Sequence, residues 1–101
     1  MTTILLVDDH HAFRTVFGEV LRVKGYSVLE AGTIADVHHL VEHHAGAIDL
    51  LVVEAVLTTT NGVEVAHRVR VRYPKLHVLD TANQKNGSIS SLPGRLSLAT
   101  Q

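Results

Sequence analysis

Three carboxylates stand where short apolar runs end. Asp8 and Asp9 close TILLV at residues 3–7, and Glu54 follows LLVV at residues 50–53. Grouped carboxylates offer hard oxygen donors, and Mg²⁺ commonly takes one or two of them while keeping several waters. Adjacent acids ahead of a helix have a second use, because they cap free N–H groups and meet the helix dipole. Asp9, just before an apolar helical pattern, suits that second use well. From spacing alone a cation site and a helix cap both stand open.

Histidine is the other chemistry-bearing residue, with eight in the chain. His38, His39, His43 and His44 cluster in one segment, and His39 and His43 are spaced to share one helical face. Two such imidazoles hold a transition metal when a third ligand joins them. No neighbouring motif supplies one, so a solvated histidine face is the simpler reading. His10, after the acid pair, either hydrogen-bonds a phosphate or lines the loop, and lining the loop is the simpler reading. Thr58-Thr59-Thr60 reads as a turn, since neither GxxxxGK[ST] nor GxSxG occurs. His67, Arg68, Arg70 and Arg72 read as a solvated basic face.

The elements that must position these groups alternate between two periods. TILLV is a continuous apolar run, as expected of a strand buried on both faces. Phe13, Val16, Phe17, Val20 and Leu21 make a helical stripe, and Gly25 after Lys24 is a natural stop. A second strand is expected over 26–30, YSVLE. Thr33 then opens a helix as an approximate capping box with Asp36, and Ile34, Val37, Leu40 and Val41 supply its stripe. Gly46 is expected to close it. LLVV is the third strand, Asn61-Gly62 opens a third helix that Pro74 ends, and HVL at 77–79 is a fourth strand.

This βαβαβαβ order predicts an α/β fold, a parallel sheet with helices on both faces and right-handed crossovers. Ligands of such sheets bind beyond the carboxyl ends of the strands. Asp8, Asp9 and Glu54 would converge there. After residue 82 the chain turns polar and loses its helical stripe; a short edge strand near 95–99 or a tail without regular structure would both suit it.

Composition bounds the function. The chain has 101 residues, enough for one small domain, and 46% of them are hydrophobic. Nine basic and ten acidic residues leave no broad positive surface, so no nucleic-acid partner is expected. Cysteine is absent, which excludes disulfides, thiolate metal sites and cysteine nucleophiles. No apolar run has the length of a signal or membrane segment, so a cytoplasmic protein without a membrane partner is expected.

Taken together, ILLVDD at 4–9, GYSVLEA at 25–31, DLLVVE at 49–54, Asn61-Gly62, Tyr73-Pro74 and Val78-Leu79 resemble the receiver domain of two-component response regulators. The resemblance covers about the first 80 residues. It implies a flavodoxin-like, three-layer αβα domain over 1–82 with strand order 2-1-3-4, an incomplete or atypical fifth strand, and an atypical tail over 83–101. Receivers take a phosphoryl group from a sensor histidine kinase onto an aspartate ending the third strand. Mg²⁺ is held there by that aspartate, an acid after the first strand and a backbone carbonyl two residues past the acceptor. By position, Asp8 and Asp9 match the acid pair, Glu54 takes the acceptor place and Val56 offers the carbonyl.

The departures are as informative. Glu54 replaces aspartate, and Thr58 and Thr60 replace the usual proline and methionine of the turn. In HVLDTAN an ungapped match puts Ala82 at the family's switch position, while Thr81 requires a one-residue deletion. Lys85 comes too early for the family's lysine, and nothing after residue 82 resembles its last strand and helices. The expectation is a degenerate, truncated receiver that is not conventionally phosphorylated and not an enzyme. It would act by protein association with a sensor kinase or output protein, and form a homodimer or larger assembly through the edge of the fourth strand. The alternative is a receiver that still takes phosphate with Mg²⁺.

Overall fold

The structure, a computed structural model, describes residues 1–53, 57 and 60–80. Four strands and three helices alternate: β1 (Thr3–Val7), α1 (His11–Val23), β2 (Ser27–Ala31), α2 (Ile34–His43), β3 (Leu50–Val53), α3 (Gly62–Arg72) and β4 (His77–Asp80). All strand pairings are parallel, in the order β2-β1-β3-β4. The α/β class and the 2-1-3-4 order follow the sequence expectation. The atypical fifth strand, the edge strand near 95–99 and the whole of 83–101 lie outside the described residues, as does residue 82.

Every residue of β1 and β3 is buried, which explains their unbroken apolar runs. Alternate side chains serve opposite faces of the sheet. Ile4, Leu6, Leu50 and Val52 pack with Leu21, Phe17 and Tyr26 against α1. Leu5, Val7, Leu51 and Val53 pack with Val37 of α2 and Val65, Ala66 and Val69 of α3 on the other face. Three layers result.

The helix ends show why the chain turns where it does. Gly25, at φ +98°, follows α1 in the left-handed region that glycine enters without a Cβ clash. Its N–H donates to Arg22 O at 2.9 Å, and Tyr26 N–H donates to Leu21 O at 3.1 Å. That pair of bonds is a Schellman ending, sealed by Tyr26 and Leu21 in one apolar cluster. At α2, Thr33 Oγ1 accepts from Asp36 N–H at 3.1 Å, and Asp36 Oδ2 accepts from Gly32 N–H at 3.0 Å. Asn61 Oδ1 caps α3 by accepting from Glu64 N–H at 2.9 Å.

Four sequence expectations are corrected. β2 runs over 27–31, one residue later than YSVLE, because Tyr26 is used to close α1. α2 ends at His43 with an extended residue at His44, so Gly46 is not its terminating glycine. Neither acid of the 8–9 pair caps α1; its N-cap is His10, without a side-chain cap. The buried stripe of α1 is also rotated: Gly18 and Leu21 are buried and Arg14 and Phe17 half-buried, while Phe13, Val16 and Val20 are exposed. That rotation brings Arg14 against the sheet.

Candidate functional site

Register fixes where the acids stand. Val7 pairs with Ala31 on one side and Val53 on the other, and Val53 pairs with Asp80. The four strands therefore end level, and Asp8 and Asp9 leave the sheet at its carboxyl edge. Asp8 N–H donates to Ala31 O at 3.1 Å, which carries the β1–β2 ladder one residue further. The Asp8 side chain is only 7% exposed and that of Asp9 22% exposed.

A buried carboxylate needs partners. Asp8 Oδ1 accepts from His10 N–H at 2.8 Å, a local turn bond that aspartate makes readily. His10 Nδ1 stands 3.8 Å from Asp9 Oδ1 and 4.0 Å from Asp8 Oδ1. One ligand atom from each of Asp8, Asp9 and His10 lies within 4.8 Å of the other two. Two carboxylates so close suit a hard divalent cation, which prefers oxygen donors and completes its shell with water. The donor set therefore fits Mg²⁺. His10, read from sequence as a loop residue, belongs to the cluster.

Behind the acids lies an ion network the sequence reading missed. Arg14 Nη1 donates to Asp8 O at 2.6 Å, and Nη2 donates to His11 Nδ1 at 3.0 Å. A guanidinium only donates, so His11 Nδ1 is the acceptor. Arg14 Nε lies 3.4 Å from Glu30 Oε1; it is buried and has no aligned hydrogen bond, so this contact is an ion pair. Glu30 Oε2 meets Arg22 Nη2 at 3.0 Å, and Arg22 Nη2 also donates to Val28 O at 3.2 Å. Two glycines leave room for this layer. A Cβ on Gly32 would stand 2.7 Å from Arg14 Nη1, and one on Gly18 would stand 2.9 Å from Glu30 Oε2. The available sequence signal was Arg14 itself, a charge inside an amphipathic helix pattern.

Of the residues predicted for the site, Asp8 and Asp9 are brought together. Glu54, Val56, Thr58, Thr81 and Ala82 lie outside the described residues. The clustered histidines divide. His38 Nε2 accepts from Arg68 Nη1 of α3 at 2.6 Å, and His44 Nε2 contacts Ala47 O at 3.3 Å. His39 and His43 are exposed beside each other, with ring centroids 4.3 Å apart. Arg68 also pairs with Glu64 at 3.3 Å, and Arg70 reaches Leu76 O at 3.5 Å, so part of the α3 basic face is engaged within the fold. Among the described residues no helix is long and apolar enough to cross a membrane.

The fold recurs in solved structures. The receiver domain of the hybrid histidine kinase CckA is 33% identical with a TM-score of 0.70, the match covering 75% of this chain and 70% of that one. The non-phosphorylated HemR receiver domain of Leptospira biflexa is 27% identical with a TM-score of 0.69, over 85% of this chain and 71% of that one. TrrA of Thermotoga maritima, in complex with Mg²⁺ and BeF, is 26% identical with a TM-score of 0.65, over 79% and 68%. A cyclic di-GMP phosphodiesterase of Thermotoga maritima is 28% identical over 72 residues, 71% of this chain. The chain spans only 18% of that relative's length. The family model of the response regulator receiver domain matches residues 4–89. The chain belongs to the receiver domain family of two-component response regulators.

Proposed function

We propose that this receiver is an atypical one, in which Glu54 stands at the phosphoacceptor position and signalling runs through protein association instead of conventional aspartyl phosphorylation. One observation supports this most: Val53 ends β3 level with Val7, and the residue after Val53 in the chain is Glu54, not aspartate. A glutamate carries its carboxylate one C–C bond, about 1.5 Å, further from the backbone than an aspartate does. In-line phosphoryl transfer depends on placing the nucleophile closely, and a misplacement of that size costs about 10²-fold or more.

The metal side of the site is retained in this reading. Asp8 and Asp9 would hold Mg²⁺, with the Glu54 carboxylate and the Val56 carbonyl as the further donors that the family resemblance implies. When bound, the ion supplies positive charge against phosphoryl oxygens. Asp8, bonded to His10 N–H and pinned through its carbonyl by Arg14, stays fixed; Asp9, more exposed, meets solvent. Thr81 is the proposed switch hydroxyl. The partners are protein surfaces, a sensor histidine kinase or an output protein in the cytoplasm, with self-association through the β4 edge. No nucleic acid, membrane or enzymatic turnover of its own is part of this reading.

The test is incubation of the chain with acetyl phosphate and Mg²⁺ followed by intact mass. No stoichiometric gain is expected. A gain of one phosphoryl group would instead support a Mg²⁺-dependent phosphoacceptor, a reading favoured by the paired Asp8 and Asp9. Light scattering after size exclusion tests association: an assembly is expected, and a monomer at high concentration would exclude it.

A further inference from the structure

We infer that His39 and His43 form a second, independent metal site on the outer face of α2, a two-imidazole chelate for a borderline divalent cation of the Ni²⁺ or Zn²⁺ class. The two residues are one helical turn apart, both exposed, with ring centroids 4.3 Å apart and planes inclined by 32°. Metal–imidazole bonds are about 2.0–2.1 Å, so two nitrogens on one cation sit roughly 3 Å apart. Rings already side by side reach that spacing by small side-chain rotations.

The hydrogen bonding assigns the donor atoms. His43 Nδ1 lies 2.9 Å from the backbone carbonyl of His39. A carbonyl only accepts, so Nδ1 is the donor of this bond and Nε2 is the nitrogen left for a metal, directed away from it. Metal-bound histidines are commonly oriented in this way, through the nitrogen that does not bind the ion. The ring of His39 makes no hydrogen bond to another described residue. His38 and His44 are different: their Nε2 atoms are engaged with Arg68 and with Ala47 O. His39 and His43 are thus distinguished among the four by lying ring beside ring, with His43 Nε2 and the His39 ring left without a described hydrogen-bond partner. Imidazole selects Zn²⁺, Ni²⁺ or Cu²⁺ over Mg²⁺, which prefers oxygen. Water completes the shell, as only two protein ligands are present. This site does not depend on the phosphoacceptor reading, since no residue of the acidic cluster contributes.

Isothermal titration of the full chain with Ni²⁺ tests the inference, with Mg²⁺ as the comparison cation. The wild type is expected to bind Ni²⁺, and the His39→Ala/His43→Ala variant to bind it at least about tenfold more weakly, since losing even an outer-shell partner of a metal ligand costs that much. His44→Ala and His67→Ala are expected to leave the affinity unchanged. In proton NMR, paramagnetic Ni²⁺ should broaden the imidazole signals of His39 and His43 first, while Mg²⁺ leaves them unmoved. Circular dichroism checks the fold, and alanine at two exposed helical positions favours helix. Undiminished Ni²⁺ binding by the double variant would overturn the inference. So would absent binding by the wild type, or equal losses from His44→Ala.

Discussion

Arg14 Nη1 donates to the backbone carbonyl of Asp8 at 2.6 Å, and that carbonyl belongs to the peptide joining the two acids of the site. The peptide between both acids is therefore held from α1, five and six residues further along the chain. The same guanidinium pairs with Glu30 at the end of β2. One side chain thus ties together the first helix and the ends of the two strands beside it.

Arg14→Ala should remove the bond to Asp8 and leave Glu30 with Arg22 alone. Hydrogen bonds involving a charged group contribute about 1.5–3 kcal/mol, and a loss in that range is expected in urea unfolding. Arg14→Lys should recover part of it, because an ammonium is a point charge without the planar fork that serves both partners.

Glu54→Asp restores the shorter nucleophile. With acetyl phosphate and Mg²⁺ it is expected to gain one phosphoryl group by intact mass where the wild type gains none. If both stay unmodified, the reading that acceptor geometry alone silences the site is wrong.

Mg²⁺ should raise the melting temperature of the wild type and leave Asp9→Asn unmoved. A ligand bound only by the folded state stabilises it by about 2.7 kcal/mol at a hundred times its dissociation constant. Asp8→Ala should also lose the response, with a lower starting stability, because His10 N–H then has no Oδ1 to donate to.

Gly25→Ala isolates a backbone effect. Nothing lies within 4 Å of the added Cβ, so packing is untouched, while φ +98° is strained for an L-residue. A loss of about 1–2 kcal/mol in thermal or urea unfolding is expected.

The sequence by itself determined the strands, the approximate helices and their order. β1 and β3 are buried on both faces, so their apolar runs are continuous and hard to misread. Gly25, the Thr33–Asp36 pair and Asn61 act within a few residues of themselves, and local rules suffice there. That Asp8 and Asp9 lie together at the carboxyl edge was legible because a parallel sheet gathers its strand ends. What only the tertiary structure decided is non-local. The apolar pattern of α1 allowed several faces, and the face against the sheet is the one carrying Arg14, Phe17, Gly18 and Leu21. Arg14 and Glu30 are 16 positions apart, and no periodicity links them; their pairing appears only when α1 is laid on β2. The two glycines beneath them show the same limit. Gly18 and Gly32 read as ordinary helix and loop residues until the side chains of Glu30 and Arg14 occupy the space a Cβ would fill.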